Sequence, residues 1–245
     1  MSRNFELLER ASKDLGSFQT IEEPIAKAER VSPPPDSRTL SREELSKLAQ
    51  RVFLLDHKGR RMVAFTAVEN GTGCTSVCAG TAEVLAAQVD APVCVVDANL
   101  RKPALHRCFH TENIRGLTDA IFKPGSIRDF TQKLPIGNLW LLPCGSMASR
   151  LSAVMKAEHL QERIRELRKE FAYVLIDSPA VSEYTDAILM GRLTDGAVLV
   201  LESNATRRQV ARIVKEDLEA ADVRLLGAVL NKRTFPIPQF LYDRV

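Results

Sequence analysis

No run of about 18 or more apolar residues occurs in the 245 residues of this sequence, so no transmembrane helix is expected. The first residues, Met1-Ser2-Arg3-Asn4-Phe5-Glu6, lack the apolar core of a signal peptide. Cysteine is sparse: five residues, scattered and odd in number, fit a reducing cytoplasm better than a disulfide framework. Cys74 and Cys78 are four apart on one expected helical face, but no His or Cys completes a zinc pattern around them. Neither sign of charge dominates, and a net charge of +3 is too small to argue for nucleic acid on its own. Internal repeats and long low-complexity segments are absent as well. What is there is ordinary for a globular chain, with 45% hydrophobic and 27% charged residues and length enough for one sizeable α/β core.

Residues 1–38 read as an N-terminal arm and linker, and 39–245 as the main domain. The arm holds one amphipathic stretch from Phe5 to Arg10, then a polar tract, then Pro33-Pro34-Pro35, which is too stiff and extended to be helix. A helix is expected from Ser41, with Glu44 completing a capping box. Leu45, Leu48, Val52 and Phe53 recur along it at helical spacing, as core packing or as an oligomer interface. From Arg61 onward short apolar runs alternate with helical patterns. The runs are 62–66, 93–97, 139–142, 173–177, 197–201 and 226–231. The helical patterns are 76–88, 117–121, 157–169, 183–193 and 206–221. This alternation predicts an α/β fold: a mostly parallel sheet with helices on both faces. Ligands in such sheets bind at the carboxyl ends of the strands.

Three strand ends carry polar chemistry. After the first run comes Glu69-Asn70-Gly71-Thr72-Gly73-Cys74-Thr75-Ser76, a phosphate-binding loop whose lysine is missing. Glycines let the backbone approach phosphates at a helix N-terminus, and the Thr75 hydroxyl is placed for Mg²⁺. The bland alternative is a tight strand-to-helix turn. The second end is Val96-Asp97-Ala98-Asn99-Leu100-Arg101-Lys102-Pro103. Asp97 there is either a Mg²⁺ ligand or the cap of an Asx turn. At the third end, Leu175-Ile176-Asp177-Ser178-Pro179, a carboxylate again closes an apolar strand, where P-loop proteins hold Mg²⁺. The three together, in this order, specify a P-loop NTPase architecture.

From about Leu40 the chain resembles the bacterial tyrosine kinases (BY-kinases) of capsule and exopolysaccharide systems, in the deviant-Walker branch of the P-loop group. The resemblance rests on the Asp97–His106 run, the Leu175–Pro179 run, the Gly227–Asn231 stretch and the Phe235–Tyr242 tail. It implies nucleotide and Mg²⁺ contacts for Gly71, Thr72, Gly73, Cys74, Thr75 and Ser76. It implies metal and catalytic roles for Asp97 and Asp177, and places Asn231 where related ATPases touch the adenine base. ATP and Mg²⁺ are the implied cofactors. A membrane polysaccharide copolymerase is the implied activating partner, which places the chain in the cytoplasm at the inner face of the membrane. The implied phosphate acceptors are tyrosines of the chain's own tail.

Four departures fall on chemistry or its regulation. Cys74 replaces the loop lysine, removing a charge-assisted hydrogen bond of about 1.5–3 kcal/mol, roughly ten- to a hundred-fold in affinity. Loss of one such donor in the transition state costs about a hundred- to a thousand-fold in rate. A thiol at a helix N-terminus tends toward acidity, and a thiolate there would repel phosphate. Asn99 stands where the family has a second Asp. The family's Glu-Arg-Arg helix motif, which supports ring assembly, reads Glu44, Lys47, Gln50. Finally, the chain has only Tyr173, Tyr184 and Tyr242, leaving Tyr242 as the single tail acceptor candidate, or as a packing residue. These changes point to a regulator of polymerisation and export with weakened or lost ATP binding and phosphotransfer. The alternatives are an active autokinase and a partitioning-type ATPase. Against the last, Glu69 and Asn70 occupy the stretch where such ATPases carry an extra lysine.

Overall fold

The structure is a computed structural model describing residues 40–55, 61–146 and 158–233, all within the compact unit Asp36–Val245. The N-terminal arm, the triple proline and the Phe235–Tyr242 tail lie outside the described residues.

In chain order the elements are α1 (Arg42–Ala49), β1 (Met62–Ala67), α2 (Cys74–Gln88), β2 (Val93–Asp97), α3 (Leu105–Cys108), α4 (Leu117–Phe122), β3 (Gln132–Lys133), β4 (Leu139–Leu142), α5 (Glu158–Glu170), β5 (Tyr173–Asp177), α6 (Asp186–Arg192), β6 (Ala197–Glu202), α7 (Arg208–Ala220) and β7 (Leu225–Asn231). The strands form one sheet in the order β3-β4-β2-β5-β1-β6-β7. Every pairing is parallel except β3 with β4.

The continuous apolar runs have a simple cause. Successive side chains on a strand point to opposite faces, and both faces here are covered. Met62 and Ala64 of β1 pack in one core with Leu117, Ile164, Met190 and Leu218 of α4–α7. Val63 and Phe65 pack in the other with Ala49, Val77, Leu85 and Leu105 of α1–α3. The Leu45–Phe53 stripe belongs to this second core, because Val52 and Phe53 are buried in it and Leu45 and Leu48 pack against it. Core packing therefore accounts for that stripe. The expected capping box of α1 is present, with Ser41 and Glu44 bonded reciprocally.

Four elements differ from the sequence reading. Helix α2 begins two residues early, because Gly73 at φ +84° turns the chain and its carbonyl accepts from Val77 N–H at 3.0 Å. Helix α6 begins at Asp186 rather than 183, since Val181 and Ser182 donate backbone N–H groups to the Ala67 and Val68 carbonyls instead. Strand β3 and the short α3 carry no periodicity long enough to read.

Candidate functional site

Strands β2, β5 and β1 are neighbours, so their carboxyl ends lie together. Asp97 and Asp177 are register partners on β2 and β5. The loop from β1 rises beside them and turns into α2, aiming that helix's N-terminus over the strand ends. Gly71 and Gly73 both have positive φ, +86° and +84°, conformations that glycine adopts without steric cost. A cavity of about 370 Å³ opens over the loop. It is lined by Ala67 and Glu69 through Thr75 from the loop, and by Asn99, Lys102, Ala104, Arg107, Ser178 and Ala180 from the segments after β2 and β5.

Asp177 is fully buried. Its Oδ2 accepts from the Thr75 hydroxyl at 2.7 Å, while its Oδ1 has no partner. Burial, and then the charge of Asp97, push this carboxyl up to about 8, against the hydrogen bonds from Thr75 and Cys74. Asp97 is also fully buried. Its oxygens accept three backbone N–H groups, from Asn99 at 3.2 Å, Ala104 at 2.9 Å and Leu105 at 3.0 Å. It thus caps the turn after β2, as the Asx alternative had it. Burial still pushes it upward, to about 6, although those three donors pull it down.

Cys74 corrects one expectation. Its side chain is buried close to the Asp177 carboxyl, so it is not an acidic thiol at an open helix end. Burial, and then the Asp177 carboxyl, raise it well above the ordinary thiol range. The repelling thiolate is absent for that reason, but so is any cation at this position.

Asn231 ends β7 and is 1% exposed. Its amide donates to the Thr72 carbonyl at 2.8 Å, and a Cβ on Gly73 would sit 2.4 Å from that amide nitrogen. Asn231 is therefore a brace beneath the loop and does not line the cavity. Ser76 points to solvent on the first turn of α2 and also lies off the cavity. Gly71, Thr72, Gly73, Cys74 and Thr75 do line it. Asp97 and Asp177 lie beneath, and Tyr242 is outside the described residues. Sequence reasoning missed Arg107; its only signal was a cation a few residues after a polar strand end, on what folds as the short α3.

The residues present suit a phosphate chain and a divalent cation. Loop backbone N–H groups at the α2 N-terminus supply anion donors. The Thr75 hydroxyl sits against a buried carboxylate whose second oxygen has no partner. A Mg²⁺ held there would neutralise phosphate charge; Thr75 and Asp177 are the residues to hold it, with Asp97 behind them.

Comparison with known proteins gives the same answer. Residues 60–227, more than half of the chain, match the family model described as cellulose biosynthesis protein BcsQ. The chain is 31% identical over 171 residues to the tyrosine-protein kinase YwqD of Bacillus subtilis, covering 70% of this chain and 72% of that one. It is 26% identical over 176 residues to the tyrosine-protein kinase CpsD of Streptococcus agalactiae, covering 71% and 76%. Among solved structures, the VpsO kinase domain superposes with a TM-score of 0.71 at 26% identity, over 79% of this chain and 97% of that one. With a phosphate loop, two buried strand-end carboxylates and these relatives on one frame, the chain belongs to the bacterial tyrosine kinase family of the P-loop group.

Proposed function

We propose that this protein is a BY-kinase-like regulator of exopolysaccharide or capsule polymerisation and export, with ATP binding and tyrosine phosphotransfer weakened. One observation carries the reading: the loop position before Thr75 holds a buried, neutral thiol beside Asp177 instead of a lysine. The protein keeps the scaffold of a phosphotransfer site and lacks its central cation. In this reading a membrane polysaccharide copolymerase is the partner and holds residues 39–245 at the inner face of the membrane. The arm 1–38 is an appendage, and Tyr242 is the acceptor of any residual transfer. Among the described residues no helix is long and apolar enough to cross a membrane, which agrees with attachment through a partner.

The test is Mg-ATP calorimetry on the wild type and on Cys74→Lys, with phosphotyrosine read on the same samples. The expected wild type binds weakly and carries little phosphotyrosine, and Cys74→Lys binds about ten- to a hundred-fold more tightly. Micromolar binding together with phosphotyrosine in the wild type would make the protein a working autokinase and end the regulator reading.

A further inference from the structure

The cation missing from the loop has a counterpart in the cavity. Lys102 and Arg107 line the same cavity as Gly71–Thr75. Their placement follows from the turn after β2. Asp97 accepts the Ala104 and Leu105 N–H groups, and Asn99 Oδ1 accepts the Lys102 N–H at 3.2 Å. These bonds fold residues 99–105 back over the strand end. The adjacent cation is committed elsewhere: Arg101 pairs with Asp186 at 3.0 Å and lies over the Tyr184 ring, 3.9 Å from its centroid. No carboxylate among the described residues lies within ion-pairing distance of Lys102. Glu69 is the one acidic side chain among the cavity's lining residues. The loop also contributes Thr72, 2% exposed, whose hydroxyl has no partner.

We infer that Lys102 supplies the phosphate-chain cation that Cys74 lacks, acting from the loop after β2 with Arg107 beside it. This rests on the reading that the loop holds a nucleoside triphosphate, and it deepens that reading: the weakened binding that remains is carried by a different residue. The geometry separates binding from transfer. Position 74 begins helix α2, whereas Lys102 is an exposed residue of the turn after β2 that lines the cavity. Such a cation attracts a phosphate chain in the ground state without being built into the loop that surrounds it.

Calorimetry with Mg-ATP on the whole chain tests this with five variants, Cys74→Lys among them. Lys102→Ala weakens binding by about ten- to a hundred-fold, and Lys102→Arg keeps most of it. Cys74→Lys in the Lys102→Ala background recovers the loss. Lys215→Ala, which removes a surface lysine paired with Glu219 on α7, binds as the wild type does and serves as the charge control. Lys102 is exposed, so its variants are expected to fold, and circular dichroism melts verify that. If wild type binds and Lys102→Ala binds equally well, this inference is overturned while the nucleotide reading stands. If neither wild type nor Cys74→Lys binds Mg-ATP, the nucleotide reading itself falls and takes the inference with it.

Discussion

The side-chain amide of Asn231 donates to the carbonyl of Thr72 at 2.8 Å, tying the end of the last strand to the phosphate loop 159 residues earlier. The contact has no slack. Gly73 is held at φ +84°, and a Cβ there would meet the same amide nitrogen at 2.4 Å. A loop that must present its N–H groups to an anion needs this sort of support from below, because its own backbone bonds are few.

Gly73→Ala and Asn231→Ala test this support. The first forces an alanine into the left-handed region at a cost of roughly 1–2 kcal/mol, plus the clash. The second removes a buried hydrogen bond at roughly 1–3 kcal/mol. The double variant is expected to lose less than the sum, since removing the amide makes room for the new methyl. Urea unfolding of all three variants measures this, and strict additivity would contradict the packing.

The Cys74 thiol is expected to be inert. It is buried and raised well above the usual thiol range by burial and by Asp177, whereas Cys108 is exposed. Iodoacetamide at pH 8 followed by peptide mass spectrometry should find Cys108 alkylated first and Cys74 protected in the folded protein. Rapid labelling of Cys74 would mean that its thiol is free of Asp177.

The buried carboxylates predict a pH dependence of stability. Asp177 is raised to about 8 and Asp97 to about 6, by burial first and then, for Asp177, by its partner's charge. An unfolded Asp titrates near ~3.9. Between that value and about 8 the folded state binds more protons than the unfolded one, so stability falls as pH rises through this window. Metal-free protein should therefore melt at a lower temperature at pH 8 than at pH 5, and Asp177→Asn should shrink the difference. A melting temperature that rises across the same interval would refute the assignment.

Arg101 and Lys102 are adjacent, yet different outcomes are expected for them. Arg101 bridges Asp186 and the Tyr184 ring. Arg101→Ala should destabilise the protein by about 1–2 kcal/mol in denaturant melts while leaving Mg-ATP affinity unchanged. A large loss of affinity in that variant would show that its side chain turns toward the cavity.

The strands 93–97, 139–142 and 173–177 were legible to the residue, because a parallel strand covered on both faces must be a continuous apolar run. The phosphate loop and the two strand-end carboxylates were legible for a related reason: a polar group closing such a run is costly unless it has work to do. The short β3 was not legible, since a two-residue edge pairing depends on its neighbour Trp140 and not on its own pattern. The start of α6 was misread because Val181 and Ser182 meet the end of β1 only in the folded chain.

Taken alone, the sequence determined the layered α/β frame, the order of the three strand ends and the absence of lysine at position 74, all of which follow from local pattern and composition. The tertiary structure decided which way the individual polar side chains face. It buried Cys74 against Asp177 as a neutral thiol, bonded the Asn231 amide to the Thr72 carbonyl, and put Lys102 on the cavity wall while Arg101 turned to Asp186. Except for Lys102, which a local turn places, those outcomes depend on partners 85 to 159 residues away, as for Arg101 with Asp186 and Asn231 with Thr72, and burial and charge pairing act only once the chain has brought such partners together.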